Sequence, residues 1–298
     1  MPLNRSFLFA PGNHARRVEK AFTLGADAVI LDLEDAVAVA EKVAARASVA
    51  AALRKPRSCR GYVRVNAMGT PYCYGDLVAV VGEGVDGIVL PKVESAADLH
   101  AIDWLIANLE RERGIAEGTL DLMPIIETAA GMQRVDRILQ ARGLKPYGGG
   151  WRVNRVAFGA ADYAHELNIS PSLDEPELAL ARERLVLASG AARLEAPIDS
   201  PWFLLRETEA YRRSTERSRR GGFQGRACIH PDQVALANEV FAPGEAEIAH
   251  AKKVVAAFRQ AEAQGSASIQ LDGEFIDYPI AHRAQALLDA FGGGAPQT

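Results

Sequence analysis

Cysteine is scarce in this chain. Cys59, Cys73 and Cys228 are scattered along 298 residues with no C-x-x-C pair among them, which argues against a disulfide framework or a thiolate zinc site and points to reduced thiols. Long apolar runs are also missing. No stretch approaches the roughly 20 residues that span a bilayer, and the N-terminus lacks the apolar core of a signal peptide. Nor does one sign of charge prevail. A formal net charge of −4 provides no chain-wide basic field, so nucleic acid is not an expected partner, although local Arg and Lys clusters remain available to anionic ligands. These absences together read as a cytoplasmic protein without a membrane anchor.

What is present is a repeat of short apolar runs separated by helical patterns. Nearly half the residues are apolar and about a quarter charged, as in a globular protein with a large core. Strand-like runs lie at Ser6–Ala10, Ala28–Asp32, Gly61–Asn66, Gly87–Lys92, Leu122–Ile126, Arg155–Phe158, Ala196–Asp199 and Ala227–His230. Between them, amphipathic patterns predict helices, among them Ala15–Leu24, Ala40–Arg54, Ala96–Arg113, Ala129–Arg142 and Glu175–Ser189. Eight βα units in one chain can form an open doubly wound sheet or close into a TIM (β/α)8 barrel. Polar groups at so many strand ends favour closure, with residues 1–242 forming the barrel.

Residues 243–298 are more than a barrel needs. A helix near Glu245–Ala263, a hairpin signal at Asp272-Gly273 and a helix over Ile280–Phe291 predict a C-terminal helical extension carrying a short hairpin, an appendage able to act as a lid. Disorder is expected only at Gly292–Thr298. The glycines of Pro146–Gly150 read as a flexible turn rather than a phosphate cradle, because no helix starts directly after them.

In a closed barrel the loops leaving the C-terminal strand ends carry the chemistry. Two acids stand there: Glu127 after Met123-Pro-Ile-Ile, and Asp162 after Val156-Ala-Phe-Gly-Ala-Ala. Two hard oxygen donors from neighbouring strand ends, with room for water and substrate oxygens, suit Mg²⁺. The competing explanation is that both cap helices. Arg64 lies in an apolar strand and needs a carboxylate, either Glu34 or Asp35 at the end of the second strand or one carried by a ligand. Arg5 and Lys92 read as solvated strand-flanking residues, and Arg212–Arg220 as a solvated helix or loop face. His230 and Asp199 read as structural, and Cys228 as a small buried residue.

Taken in order, Arg5–Gly12, Ala28–Val37, Val63–Asn66, Pro91-Lys92, Glu127-Thr128, Phe158–Asp162 and Gly225–Gln233 resemble the citrate lyase β-subunit-like branch of the HpcH/HpaI aldolase superfamily, which also holds malyl-CoA and citramalyl-CoA lyases. The resemblance implies a TIM barrel binding Mg²⁺ through Glu127 and Asp162, with Arg64 contacting oxygens of a 2-oxo or 2-hydroxy acid and Glu34 and Asp35 in support. It implies a CoA thioester partner whose phosphates meet Arg16, Arg17 and Lys20. It also implies that Phe275-Ile-Asp277-Tyr-Pro279 covers a neighbouring subunit's site in a homotrimer or hexamer, with Asp277 as acid/base. One segment departs from the pattern: Trp202-Phe-Leu-Leu-Arg-Glu207 follows Pro201 where many relatives carry more acidic residues.

The expected activity is Mg²⁺-dependent cleavage or formation of a carbon–carbon bond in a 3-hydroxyacyl-CoA such as malyl-CoA, citramalyl-CoA or citryl-CoA. The products are an acyl-CoA and a 2-oxo acid. Three rivals remain: a malyl-CoA-type thioesterase, an aldolase acting on free 4-hydroxy-2-oxo acids, and a regulatory paralogue without turnover.

Overall fold

The structure, a computed structural model, describes residues 3–142 and 151–291. Pro146–Gly150, expected as a turn, and Gly292–Thr298, expected as disordered, lie outside the described residues. The chain divides into two compact units, Asn4–Phe241 and the segment from Ala242 onward.

Among the described residues of the first unit, eight parallel strands close into a barrel in sequence order: β1 (Ser6–Pro11), β2 (Ala28–Asp32), β3 (Arg60–Arg64), β4 (Gly87–Leu90), β5 (Asp121–Ile126), β6 (Ala157–Phe158), β7 (Ile198–Asp199) and β8 (Gly225–Cys228). The helices α1 (Ala15–Ala21), α2 (Lys42–Leu53), α3 (Cys73–Val80) and α4 (Ala96–Glu112) follow the first four strands. The expected TIM barrel is thus observed. β2 reads Ala-Val-Ile-Leu-Asp and is buried throughout, as a parallel strand covered on both faces must be. α4 starts at a reciprocal capping box between Ser95 and Asp98, which satisfies amide donors that no helical carbonyl can reach.

Two helix expectations need correction. The pattern over 129–142 is two helices, α5 (Ala129–Gln133) and α6 (Val135–Ala141), joined at Arg134, whose φ of −110° leaves the helical range. A break of one residue does not disturb an apolar stripe. α7 (Ala160–Glu166) escaped notice because its seven residues bury only Ala160 and Ala164, too few to show a period. α8 (Ala179–Ala191) begins after a 3₁₀ turn at Pro176–Leu178 rather than at Glu175. α9 (Thr208–Arg220) and α10 (Pro231–Phe241) complete the ring.

The barrel interior has three layers, because side chains at alternate strand positions point inward. Its middle is apolar: Phe7, Ile30, Tyr62, Val89, Met123, Ile125, Ala157 and Ile198 form one buried cluster. The N-terminal end is closed by ion pairs. Arg155 meets Asp121, and its Nε lies 2.9 Å from Glu195 Oε2, while Arg60 Nη2 donates to Asn4 Oδ1 at 2.6 Å. At this end β8 passes so near the preceding chain that a Cβ on Gly225 would collide with the Asn4 carbonyl oxygen. The larger core lies between strands and helices.

The C-terminal unit contains α11 (Glu245–Ala263), the antiparallel hairpin β9 (Ser268–Leu271) and β10 (Glu274–Asp277), and α12 (Tyr278–Phe291). Its core is Val254, Phe258, Ile276 and Ala281. The expected helical extension with a hairpin is present. No helix among the described residues is long and apolar enough to cross a membrane.

Arg152 shows how strongly this fold depends on pairing of buried charge. It is 1% exposed and lies 2.8 Å from Glu110 and 2.5 Å from Asp103, both on α4. Removing one partner strands the others in a medium that solvates charge poorly. Arg152→Met is expected to lower the unfolding free energy by about 3–5 kcal/mol in denaturant titration. Adding Asp103→Asn and Glu110→Gln should recover a large part of that loss. A single variant as stable as the parent would refute the assignment.

Candidate active site

Strand parity decides which polar groups enter the barrel mouth. On β5 the inward line runs Asp121, Met123, Ile125 and, two residues on, Glu127. On β2 it runs Ala28, Ile30, Asp32, and on β3 Arg60, Tyr62, Arg64. Asp32 and Arg64 are register partners. These lines end in a cavity of about 330 Å³ at the C-terminal mouth, whose lining includes Asp32, Asp35, Arg64, Glu127 and Asp162.

Arg64 is held on several sides. Its Nε donates to Asp32 Oδ1 at 2.8 Å and its Nη2 to Asp32 Oδ2 at 2.6 Å. Its Nη1 lies 3.0 Å from Glu34 Oε2 and 3.5 Å from Asp35 Oδ2, and its guanidinium carbon lies 4.9 Å from the Phe9 ring centroid. The anticipated partners Glu34 and Asp35 are therefore both near, but the bidentate partner is Asp32, to which no role was given. Counting in twos from Ile30 would have found it. Burial works against the charge on Arg64, yet Asp32 and Glu34 outweigh burial and raise its pKa. Arg64 in turn, with the Glu34 and Ala36 N–H groups, holds Asp32 below the usual carboxylate range despite its burial.

Lys92 also departs from expectation. Rather than being a solvated flank, it takes a left-handed backbone with φ of 52°, a strained state for a residue with a Cβ. That geometry aims its N–H at Glu127 Oε1, 2.8 Å away. Its Nζ donates to Glu34 Oε1 at 3.0 Å and lies 3.6 Å from Asp162 Oδ1. Lys92 thus ties together three carboxylates of the mouth.

Glu127 is not a helix cap. Thr128 caps α5, its Oγ1 accepting from the Gly131 N–H at 3.0 Å, which leaves the Glu127 carboxyl free to face the cavity. Asp162 stands in the first turn of α7, and β5 and β6 are adjacent, with Ile126 opposite Phe158. Glu127 is 2% exposed. Burial, then the nearby Glu34 and Asp162 charges, push its pKa up to about 8 against the pull of Arg64. Glu34 is raised too, chiefly by burial. The space beside Glu127 depends on Gly159, where a Cβ would collide with Glu127 Oε2 and Cβ.

This donor set fits a hard divalent cation. Among the described residues no three His, Cys, Asp or Glu side chains are grouped to enclose a metal, so a cation held here would have two carboxylate ligands, Glu127 and Asp162, with water and substrate oxygens for the rest. Mg²⁺ is commonly held in that way, whereas structural zinc is not.

The other candidates divide between the units. Arg16, Arg17 and Lys20 are exposed on α1, which follows the Pro11-Gly12 turn. Asp277 closes β10 in the C-terminal unit, its Oδ1 accepting from the Ile280 N–H at 3.4 Å. Asp199 has outward parity, next to inward Ile198. It is fully buried and receives Arg182 Nε at 3.1 Å together with Ser218, so it is part of the packing between barrel and helices rather than the rim. Arg226 faces the same way, donating to Ser200 O at 2.8 Å and Ser214 Oγ at 2.9 Å. The basic helix α9 consequently buries Ser214, Thr215 and Ser218 and is not solvated all round. His230 Nδ1 accepts from the Asp232 N–H at the start of α10. Cys228 is buried, and burial pushes its thiol up to about 12, which suits a structural residue and not a nucleophile.

The family model described as HpcH/HpaI aldolase/citrate lyase matches residues 5–231. The citrate lyase subunit beta of Leuconostoc mesenteroides subsp. cremoris is 36% identical over 288 residues, covering 96% of this chain and 92% of the relative. The L-malyl-CoA/beta-methylmalyl-CoA lyase of Cereibacter sphaeroides is 31% identical over 306 residues, covering 96% and 93%. Among solved structures, CitE from Mycobacterium tuberculosis in complex with magnesium, acetoacetate and coenzyme A superposes with a TM-score of 0.75 at 28% identity, covering 96% of this chain and 97% of that one.

The raised Glu127 pKa has a measurable consequence. Between the ordinary carboxyl value and about 8, the folded chain binds a proton that the unfolded chain releases, so this residue costs stability increasingly as pH rises through that window. Without divalent cation, Glu127→Gln should melt above the parent at about pH 9, the gap closing toward about pH 5, with each kcal/mol worth roughly 2–4 °C in a chain of this size. Parallel melting curves at both pH values would contradict the burial of a charged Glu127.

Proposed function

Because the chain belongs to the HpcH/HpaI aldolase/citrate lyase family, we propose that its barrel mouth is the active site of a Mg²⁺-dependent carbon–carbon lyase acting on 3-hydroxyacyl-CoA thioesters. The observation that carries this reading is the placement of Glu127 just after β5 and Asp162 in the first turn of α7 after the adjacent β6, facing the same cavity as Arg64. It is supported by relatives whose names are citrate lyase subunit beta and L-malyl-CoA/beta-methylmalyl-CoA lyase, and by a structural neighbour described with magnesium and coenzyme A.

Glu127 and Asp162 would hold the Mg²⁺, which supplies Lewis acidity toward the hydroxyl and carboxylate oxygens of the substrate. The chain's own groups do the remainder. Arg64, locked by Asp32 and Glu34, presents a guanidinium that needs no reorganisation to meet the carboxylate or the developing carbonyl oxygen of the 2-oxo acid. Lys92 keeps Glu127 and Asp162 in register through its N–H and Nζ. The apolar wall beneath excludes water, which strengthens each of these contacts. In cleavage, the hydroxyl releases its proton to water, the carbon that bore it becomes the carbonyl of the 2-oxo acid, and the electron pair of the broken bond passes to the thioester α-carbon, which takes up a proton in turn.

Asp277 is the proposed acid/base that protonates that carbon, or removes the same proton in condensation. It acts from a C-terminal segment that works as a lid over a neighbouring subunit, in a homotrimer or hexamer. Arg16, Arg17 and Lys20, exposed on α1, would meet the CoA phosphates by simple charge complementarity. These basic residues follow β1, two strands from the β3 that carries Arg64, since β1 pairs with β2 and β2 with β3.

Two measurements test the reading. With malyl-, citramalyl- and citryl-CoA as substrates, Mg²⁺ should be required, and a 2-oxo acid should appear in step with a shortened acyl-CoA. Turnover that survives chelation, or free CoA appearing with the carbon skeleton intact, would exclude it, the latter in favour of a thioesterase. Asp277→Asn should reduce kcat by about 10²–10⁴-fold while leaving the Mg²⁺-induced rise in melting temperature unchanged. Full activity in that variant would remove Asp277 from the chemistry.

A further inference from the structure

Apart from the acids, two of the described side chains lining the cavity carry an N–H or O–H to donate, Arg64 and Ser200. The Arg64 guanidinium is divided among three carboxylates, Asp32 at Nε and Nη2 and both Glu34 and Asp35 at Nη1. Ser200 is not so engaged. It lies two residues beyond inward Ile198 on β7, and the register of β5, β6 and β7 puts it on the level of Glu127 and Gly159. Its Oγ accepts the Ala160 N–H at 3.0 Å, and among the described residues no acceptor takes the proton that the hydroxyl itself carries. Ser200 is 1% exposed, so bulk water has little access to that donor, and a buried donor without an acceptor is unfavourable until an oxygen enters the cavity.

The surroundings fix this hydroxyl closely. The Ser200 N–H donates to Asp199 Oδ1 at 2.8 Å, and the Ser200 carbonyl oxygen accepts from Arg226 Nε at 2.8 Å. Pro201, next in the chain, disfavours a helical backbone at Ser200. Asp199 and Arg226 are in turn held among Arg182, Ser214 and Ser218. That buried network sends no group of its own into the cavity, but it braces the one residue of β7 that brings a polar side chain there. Ala160 opens α7, and its N-cap Gly159 has no side chain with which to satisfy it. Ser200 does so from the neighbouring strand, and with one lone pair given to Ala160 its O–H is turned away from α7.

We propose that Ser200 is a substrate-binding residue whose hydroxyl donates to a carboxylate oxygen of the 2-oxo acid. The inference rests on the lyase reading above and deepens it. A carboxylate offers two oxygens with about four lone-pair directions, more than an Arg64 already shared among three acids satisfies. An O–H donated to an ionised oxygen is also shorter and roughly twice as strong as one donated to a neutral carbonyl, which favours the carboxylate over the thioester as its acceptor. Asp162, in the first turn of α7, and Ser200, which holds the start of that turn, then face one ligand. The carboxylate is not itself altered as the carbon–carbon bond breaks or forms, so the contact is made equally in the bound substrate and the transition state, and its loss is read in KM rather than kcat.

The test uses the full-length protein with Mg²⁺ in the condensation direction, with acetyl-CoA and pyruvate, glyoxylate or oxaloacetate. Ser200→Ala should raise KM for the acid about 10- to 100-fold, while kcat, KM for acetyl-CoA and the Mg²⁺-induced rise in melting temperature stay near those of the parent. An unchanged KM for the acid would overturn the inference, as would a rise confined to KM for acetyl-CoA, which would put the hydroxyl on the thioester. Loss of the Mg²⁺ response together with the rise in KM would overturn it too, because Ser200 would then act only by holding α7 and Asp162 in place. If the parent condenses none of the acids, the lyase reading fails and calorimetric binding of the same acids in the presence of Mg²⁺ decides the inference. Binding about tenfold or more weaker in Ser200→Ala sustains it, and equal binding, or no binding by the parent, overturns it. Crystals of the parent with Mg²⁺ and pyruvate give a check that needs no variant: Ser200 Oγ should lie within about 3 Å of a carboxylate oxygen, and a separation beyond about 3.5 Å would refute the contact.

Discussion

A closed barrel of eight strands leaves its inward side chains in a space that water enters only from the ends, and every charge inside must find a partner or sit at a mouth. The three layers of this interior follow from that constraint. At the N-terminal end, Arg155 is matched by Asp121 and Glu195, so the end is closed and neutralised. The middle holds an apolar cluster with the Tyr62 ring, whose phenol oxygen reaches down to Asp121 at 2.9 Å. At the C-terminal mouth the balance is deliberately incomplete: carboxylates outnumber Arg64 and Lys92. The two ends use the same residue types, yet one is a plug and the other a site, and the surplus of negative charge distinguishes them.

That surplus has costs which the surrounding structure absorbs. Glu127 is raised toward its protonated form by burial and by its neighbours, Lys92 is kept in a left-handed conformation, and Gly159 cannot carry a side chain without displacing Glu127. None of these features improves packing. Each fits the proposed site, in which carboxylates are held close together for a divalent cation and an anionic substrate to complete. The asymmetry continues into the arc of β7, β8 and β1, whose lining is apolar apart from Ser200.

Much of this was legible before any coordinates. The recurrent β-branched runs with intervening amphipathic stretches gave the barrel, the Asp272-Gly273 dipeptide gave the hairpin, and acids placed just past apolar runs identified Glu127 and Asp162. Legibility failed in three ways, each with a physical cause. The helix pattern over 129–142 hid a break at Arg134, because an apolar stripe survives a single irregular residue. Lys92 looked like a solvated flank, because its strained φ depends on what its N–H and Nζ can reach across the mouth. Asp32 was overlooked in favour of Glu34 and Asp35, although parity with Ile30 was available to place it inward.

The amino-acid sequence by itself determined the order of strands and helices and the identity of the rim acids, because apolar periodicity and the position of a carboxylate after a strand are local properties of the chain. It could not decide that Asp32 and Arg64 would pair across β2 and β3, that Asp199 and Arg226 would face the helices instead of the cavity, or that one arc of the mouth would be apolar apart from Ser200. Those outcomes depend on strand register and on which side chains meet across closure of the barrel, and only the tertiary structure brings residues separated by tens of positions into the few ångströms over which charge and desolvation act.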